Sequence, residues 1–192
     1  MGLYQGAPAR LSLPKRSGRK YNFPENAKWG QVADVLPTIG TTYWCPFIIY
    51  DADVYDQLWV YSGTNASGGS VDLGIYSDAR GTPGNLIAGG TNLAIAAAAT
   101  SYAWTFPGNG LTLPPGVYWF AFCLRSGSNI NFKRGDLANL QGGNGSRWMG
   151  GNGGGAVYDT EYWKAVTGLP SPAGTMGGIQ QSGCFQFSMR AK

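Results

Sequence analysis

The run Val117-Tyr118-Trp119-Phe120-Ala121-Phe122-Cys123-Leu124, delivered by Leu113-Pro114-Pro115-Gly116, constrains the fold of this chain most. It is the most apolar stretch of the sequence, and Pro-Pro-Gly forces a sharp reversal just before it. A run with no polar face is what a central strand, covered on both sides, requires. Tyr118 and Trp119 point to opposite faces of such a strand, so one of them is expected in the core.

Shorter runs of the same kind surround it. Thr42 to Tyr50 is rich in β-branched and aromatic residues, with Pro46 marking an edge or a bulge. From Tyr55 to Tyr61, Leu58 and Val60 fall on one side, and Gln57, Trp59 and Tyr61 on the other. Gly63 to Ser70 reads as a loop. Val71, Leu73 and Ile75 then alternate with Asp72, Gly74 and Tyr76, the pattern of a half-buried strand. Asp78 to Gly84 concentrates turn residues, with Gly81 and Gly84 free to take positive φ. Leu86-Ile87-Ala88 and Tyr102 to Phe106 read as short strands, and Phe185, Phe187 and Met189 alternate in a last one. Helix signals are scarce: Asp136 to Leu140 offers one turn, and the alanines near Ala96 favour strand or loop. The expected fold is mainly β, an antiparallel β-sandwich of jelly-roll type, with one domain over residues 32–192. A Gly-rich insertion at about 141–155 interrupts it.

Residues 1–31 differ. Pro8, Pro14 and Pro24 break any periodicity, and an extended basic arm is expected. Within residues 1–28, six cations face Glu25 alone, so this stretch carries more than the whole net charge of +4 and the remainder is nearly neutral. Tyr4, Leu11, Leu13, Tyr21, Phe23 and Trp29 punctuate it, and a purely solvated tail has no use for such anchors. The cations could neutralise nucleic-acid phosphates. The interleaved prolines and apolar residues suit a groove on another protein better. Charged residues are only 12% of the chain, which favours burial against neighbours, as in a homo-oligomer.

Several chemistries find no support. The chain has no His, and its three cysteines, Cys45, Cys123 and Cys184, form no C-x-x-C. Neither a zinc site nor a Cys-His pair is expected, and the cysteines read as buried free thiols in strands. Asp51, Asp53 and Asp56 could offer oxygens to Ca²⁺, but they lack the Gly and terminal Glu of an EF-hand loop. A polar turn is the expectation, with no metal and no cofactor. Asp159 and Glu161 sit too close for an inverting glycosidase pair. Trp148, Tyr158, Tyr162 and Trp163 could stack on sugar rings, though core or subunit-interface packing is the stronger expectation. Arg134-Gly135-Asp136 spells an adhesion tripeptide of the kind that arises by chance. Neither a signal peptide nor a membrane span is expected.

From Val71 to Phe122 the chain resembles a known pattern. Gly74-Ile75-Tyr76-Ser77-Asp78 precedes Gly81-Thr82-Pro83-Gly84-Asn85-Leu86, and Leu113-Pro114-Pro115-Gly116-Val117-Tyr118-Trp119 follows. This resembles β-sandwich modules of tailed-bacteriophage structural proteins, and related modules of bacterial surface proteins. The resemblance implies a non-catalytic virion protein that decorates a head or forms a fibre or tail appendage. It implies other virion proteins as partners, and a trimer as a common solution. It brings no catalytic residues. On that reading Tyr4, Arg10, Lys15, Arg16, Arg19, Lys20 and Tyr21 anchor the arm to neighbouring subunits, and deletion of residues 1–28 leaves a folded body that no longer joins its assembly. The rival expectation is a carbohydrate- or host-receptor-binding module at a fibre tip, with a host glycan on the four aromatics. A hydrolase would require a paired acid site.

Overall fold

The computed structural model describes residues 18–23, 32–64, 68–135, 161–180 and 184–192. The strands are β1 (Lys20–Phe23), β2 (Val32–Val35), β3 (Thr42–Ile49), β4 (Asp53–Tyr61), β5 (Gly69–Asp78), β6 (Pro83–Ile95) and β7 (Ser101–Thr105). They continue with β8 (Leu111–Leu113), β9 (Gly116–Ser126), β10 (Phe132–Gly135), β11 (Glu161–Lys164), β12 (Gly178–Gln180), β13 (Cys184–Phe185) and β14 (Phe187–Ala191). The described residues contain no helix. Every strand pair is antiparallel.

A six-stranded sheet has the order β12-β11-β3-β9-β5-β6. A five-stranded sheet runs β1-β14-β4-β7, with β8 also on β4, and β13-β10-β2 form a third. β9 is therefore interior, as its apolar run requires. Its Phe120, Phe122 and Leu124 meet Leu58 and Val60 of β4 and Phe187 and Met189 of β14 in one hydrophobic cluster. The Phe120 and Phe187 rings stack at 4.2 Å. Burying a side chain of this size contributes about 2 kcal/mol, so this cluster dominates the stability of the body. Pro46 lies in β3 beyond the three residues that β11 covers, where a missing N–H is tolerated.

Tyr118 and Trp119 are both buried, because the far face of the six-stranded sheet is also covered. Trp44, Tyr76, Trp119 and Ala121 form a second cluster with Ala173, against which Val166, Leu169 and Met176 pack. The covering segment, residues 165–177, is tied down by named bonds. Thr42 Oγ1 donates toward Val166 O at 2.8 Å and Gly168 O at 2.7 Å. Tyr76 OH donates to Pro170 O at 2.8 Å, and Ala173 N–H to Gly84 O at 2.9 Å. β5 is thus buried on both faces rather than half-buried, and Asp72 is fully enclosed. Alternation marks polar positions, but it cannot register a lid supplied by a segment almost a hundred residues away.

Other expectations shift in detail. The short strand at Leu86 is part of the longer β6, which keeps pairing with β5 through three register shifts. Ser70, expected in a loop, already belongs to β5. At the 79–82 turn Ala79 N–H bonds Thr82 O, and the positive φ angles belong to Arg80 (59°) and Gly81 (85°). That is a type I′ geometry, which matches strand twist. Gly84 is not left-handed; a Cβ there would lie 2.7 Å from Ser77 Oγ, so space is what excludes a side chain. The last strand breaks at Gln186, whose N–H bonds Lys133 O at 2.8 Å. Phe185 consequently joins β10, while Phe187 and Met189 join β4 and the terminal edge.

Candidate functional site

The arm supplies the first candidate. Tyr4, Arg10, Lys15 and Arg16 lie outside the described residues. Arg19, Lys20 and Tyr21 fall on a segment that adds to the chain's own five-stranded sheet. Gly18 N–H donates to Ala191 O at 2.7 Å, and Ala191 N–H to Arg19 O at 3.0 Å. The register then runs from Lys20↔Arg190 to Phe23↔Phe187. Among the described strands β14 has no other neighbour on that side, and an extended segment satisfies its backbone groups by adding to such an edge. Residues 18–23 are thus paired with the five-stranded sheet.

The sheet face at this root carries cations and aromatics. The Lys20 ammonium sits 3.1 Å from the centroid of the Trp59 ring. Burial, followed by the like charge of Arg190, lowers the Lys20 pKa. Arg190 binds Asp56 through two hydrogen bonds, Nε to Oδ1 at 2.8 Å and Nη2 to Oδ2 at 2.6 Å. Arg190 holds the Asp56 carboxyl below its ordinary value, and Asp56 raises that of Arg190. In the next row the hydroxyls of Tyr61 and Ser188 meet at 2.6 Å. Between them the Trp59 indole Nε1 is buried without a hydrogen-bond acceptor. The face thus carries two cations and one acid that Arg190 satisfies, with the Trp59 N–H enclosed beneath them. Of these groups the exposed Lys20 ammonium is the one open to a further carboxylate or carbonyl, and no nucleophile with an adjacent base occurs among the described residues of this face.

Trp59 was visible in the sequence as an outward position of its strand, but nothing local tied it to Lys20. Asp56 and Arg190 are 134 residues apart, and only the sheet brings them together.

The remaining candidates are placed less suggestively. Trp148 and Tyr158, with Asp159 and the Gly-rich 141–155 insertion, lie outside the described residues. Tyr162 and Trp163 are half-buried on β11. The Tyr162 ring packs at 5.3 Å from Trp119, and Trp163 lies against the main core. Asp51, Asp53 and Asp56 do not converge: Asp51 is exposed, Asp53 Oδ1 accepts the Val54 N–H, and Asp56 is held by Arg190. No group of three or more metal-ligating side chains forms among the described residues. Arg134 is buried over the Phe185 ring, which is unsuited to adhesion by Arg134-Gly135-Asp136. Cys123 is a buried free thiol, as expected, whereas Cys45 is disulfide-bonded, which corrects the reading of three free thiols. Among the described residues no helix is long and apolar enough to cross a membrane.

No protein-family model matches the chain, and no curated protein is significantly similar to it.

Proposed function

We infer that this chain is a non-enzymatic structural component of a tailed-phage virion, joined to neighbouring subunits through its N-terminal arm. The two larger sheets packed over one aromatic core are read as a jelly-roll-like sandwich that the particle displays. The observation that carries the assembly reading is the arm root. Gly18 to Phe23 is held in the body's own sheet, so the segment before it, with Arg10, Lys15 and Arg16, is tethered at a defined edge. A short basic segment fixed at one end loses less freedom on binding an acidic neighbour than a free tail does.

The root also changes the experiment. Deleting residues 1–28 removes β1 and disturbs the body, so the informative truncation removes residues 1–17. The expected result is unchanged thermal melting together with loss of the chain from purified particles. Normal incorporation of that truncation would overturn the arm reading. The glycan-binding alternative draws no support from Tyr162 and Trp163, whose rings are engaged in packing.

A further inference from the structure

Charge pattern and strand order coincide at one place. No Asp, Glu, Lys or Arg occurs between Arg80 and Arg125, the stretch that holds β6, β7, β8 and most of β9. β9 is interior, but β6 is the last strand of the six-stranded sheet. β7 and β8 lie end to end along β4 and close the five-stranded sheet on the side opposite β1. These two edges adjoin. The α-carbon of Gly90 in β6 faces the Trp104 indole of β7, and Tyr102 OH accepts the Ala96 N–H at 3.0 Å. Among the described residues, β6, β7 and β8 thus bring no charge of their own to these edges, and the Lys192 ammonium reaches only the turn between β7 and β8, at Asn109 O.

Exposed edges are ordinarily blunted by lysines, prolines or bulges. β6 is blunted in that way. Its register shifts leave extra residues around Ile87 and Thr91-Asn92, and Ile87 is 41% exposed. Its first residues are also covered, since Gly84 O accepts the Ala173 N–H and Leu86 N–H donates to Ser171 Oγ. β7 is not blunted. Its register with β4 runs unshifted from Gln57↔Thr105 to Tyr61↔Ser101, and its sequence SYAWT holds no proline and no charge. No described strand pairs with its outer side.

We propose that β7 pairs edge to edge with β7 of a second copy of this chain, joining two five-stranded sheets across a two-fold axis. Charge decides the occupant. A two-fold axis sets a patch against itself, so a patch of one sign repels its own copy, and an uncharged patch escapes that penalty. A basic or acidic foreign partner finds nothing complementary on this side. Antiparallel pairing also satisfies the open N–H and C=O groups of β7. The pairing deepens the assembly reading and rests on it, but it uses the end of the sheet opposite the arm.

The test is sedimentation velocity of the full chain over a concentration series. Beside the wild type run a Ser101→Lys/Thr105→Lys variant, and a control with equal added charge at the exposed, remote positions Thr38→Lys/Thr175→Lys. An Arg10→Gln/Lys15→Gln/Arg16→Gln variant separates the arm from the edge. Wild type, control and arm variant are expected to dimerise alike, and the edge variant to bind itself at least about tenfold more weakly. If circular dichroism shows that the double edge variant is unfolded, Thr112→Lys on β8 reads the same surface. A wild type that stays monomeric throughout, or an edge variant that dimerises like the control, overturns the proposal. Loss of dimer in the arm variant alone also overturns it, and leaves the arm reading standing.

Discussion

Asp56 and Arg190 meet through paired hydrogen bonds at the one residue by which β4 outruns β14: Arg190 lies opposite Gln57, and Ala191 opposite Tyr55. Asp56 is the residue left over. The extra position changes the phase of β4, so Tyr55 and Leu58 both reach the core although they are three apart. It also falls where the far neighbour of β4 changes from β8 to β7, and Phe106 N–H closes the gap on Asp56 O at 2.9 Å. Bulges of this kind are specified features, and here a bidentate ion pair holds one in place.

The acid limb of stability is expected to follow two carboxylates. Asp34 is held at about 2, chiefly by the hydrogen bond from Lys133, and Asp56 is lowered chiefly by Arg190. Both are depressed in the folded state, so each favours folding above the ordinary carboxylate pKa. That contribution is lost as pH falls from about 4 toward about 2. Thermal melts at stepped pH should show the wild type losing stability over this window. An Asp34→Asn/Asp56→Asn variant should be less stable near neutrality and flatter toward acid. A variant curve parallel to the wild type across the window would refute the assignment.

Asp72 is fully buried, accepts the Asn92 N–H at 2.8 Å, and has Arg125 Nε 3.4 Å from its second oxygen. Removing the cation strands a charge under the 165–177 segment. Arg125→Met should therefore cost about 2 kcal/mol in urea unfolding, below the usual range for a broken buried pair because the arginine is itself partly exposed. Restoring neutrality with Asp72→Asn in the Arg125→Met background should recover part of the loss. An Arg125→Met variant as stable as the wild type would contradict it.

The two described cysteine environments should separate chemically. Cys123 lies beneath Gly168, whose N–H points at its sulfur from 3.4 Å. Native protein should resist iodoacetamide at Cys123. In denaturant without reductant Cys123 should be alkylated, and Cys45 should be labelled only after reduction. Peptide mass mapping reads both outcomes, and rapid labelling of Cys123 in the native protein would mean that the covering segment opens readily.

The cation over Trp59 has an optical readout. Lys20→Met should alter Trp59 emission and cost about 0.5 kcal/mol, the low end for a cation–π contact at the surface. Unchanged emission and melting would show that the contact does not persist in solution.

What the sequence alone determined is everything carried by neighbours along the chain. Pro114-Pro115-Gly116 sets the entry to β9, the 78–84 stretch makes the hairpin turn, and Leu58 and Val60 face inward by strict alternation. The excess of cations in residues 1–28 and the uncharged stretch from residue 81 to 124 are likewise there to be read directly. Tertiary structure decided what depends on residues far apart in sequence. It roofed the second face of β9 with residues 165–177, so Trp119 is as buried as Phe120. It spent Lys20 and its neighbours on the edge of β14, turning the last part of an expected arm into a strand. It split the final apolar run at Gln186 between two sheets. The reason is common to all three. Alternation tells which residues seek a core, but an open edge or a bare face accepts whatever segment the folded chain brings to it, and that choice has no local signature. The apolar run at Val117 to Leu124 thus announced a central strand, and the segments gathered around it settled how completely it is enclosed.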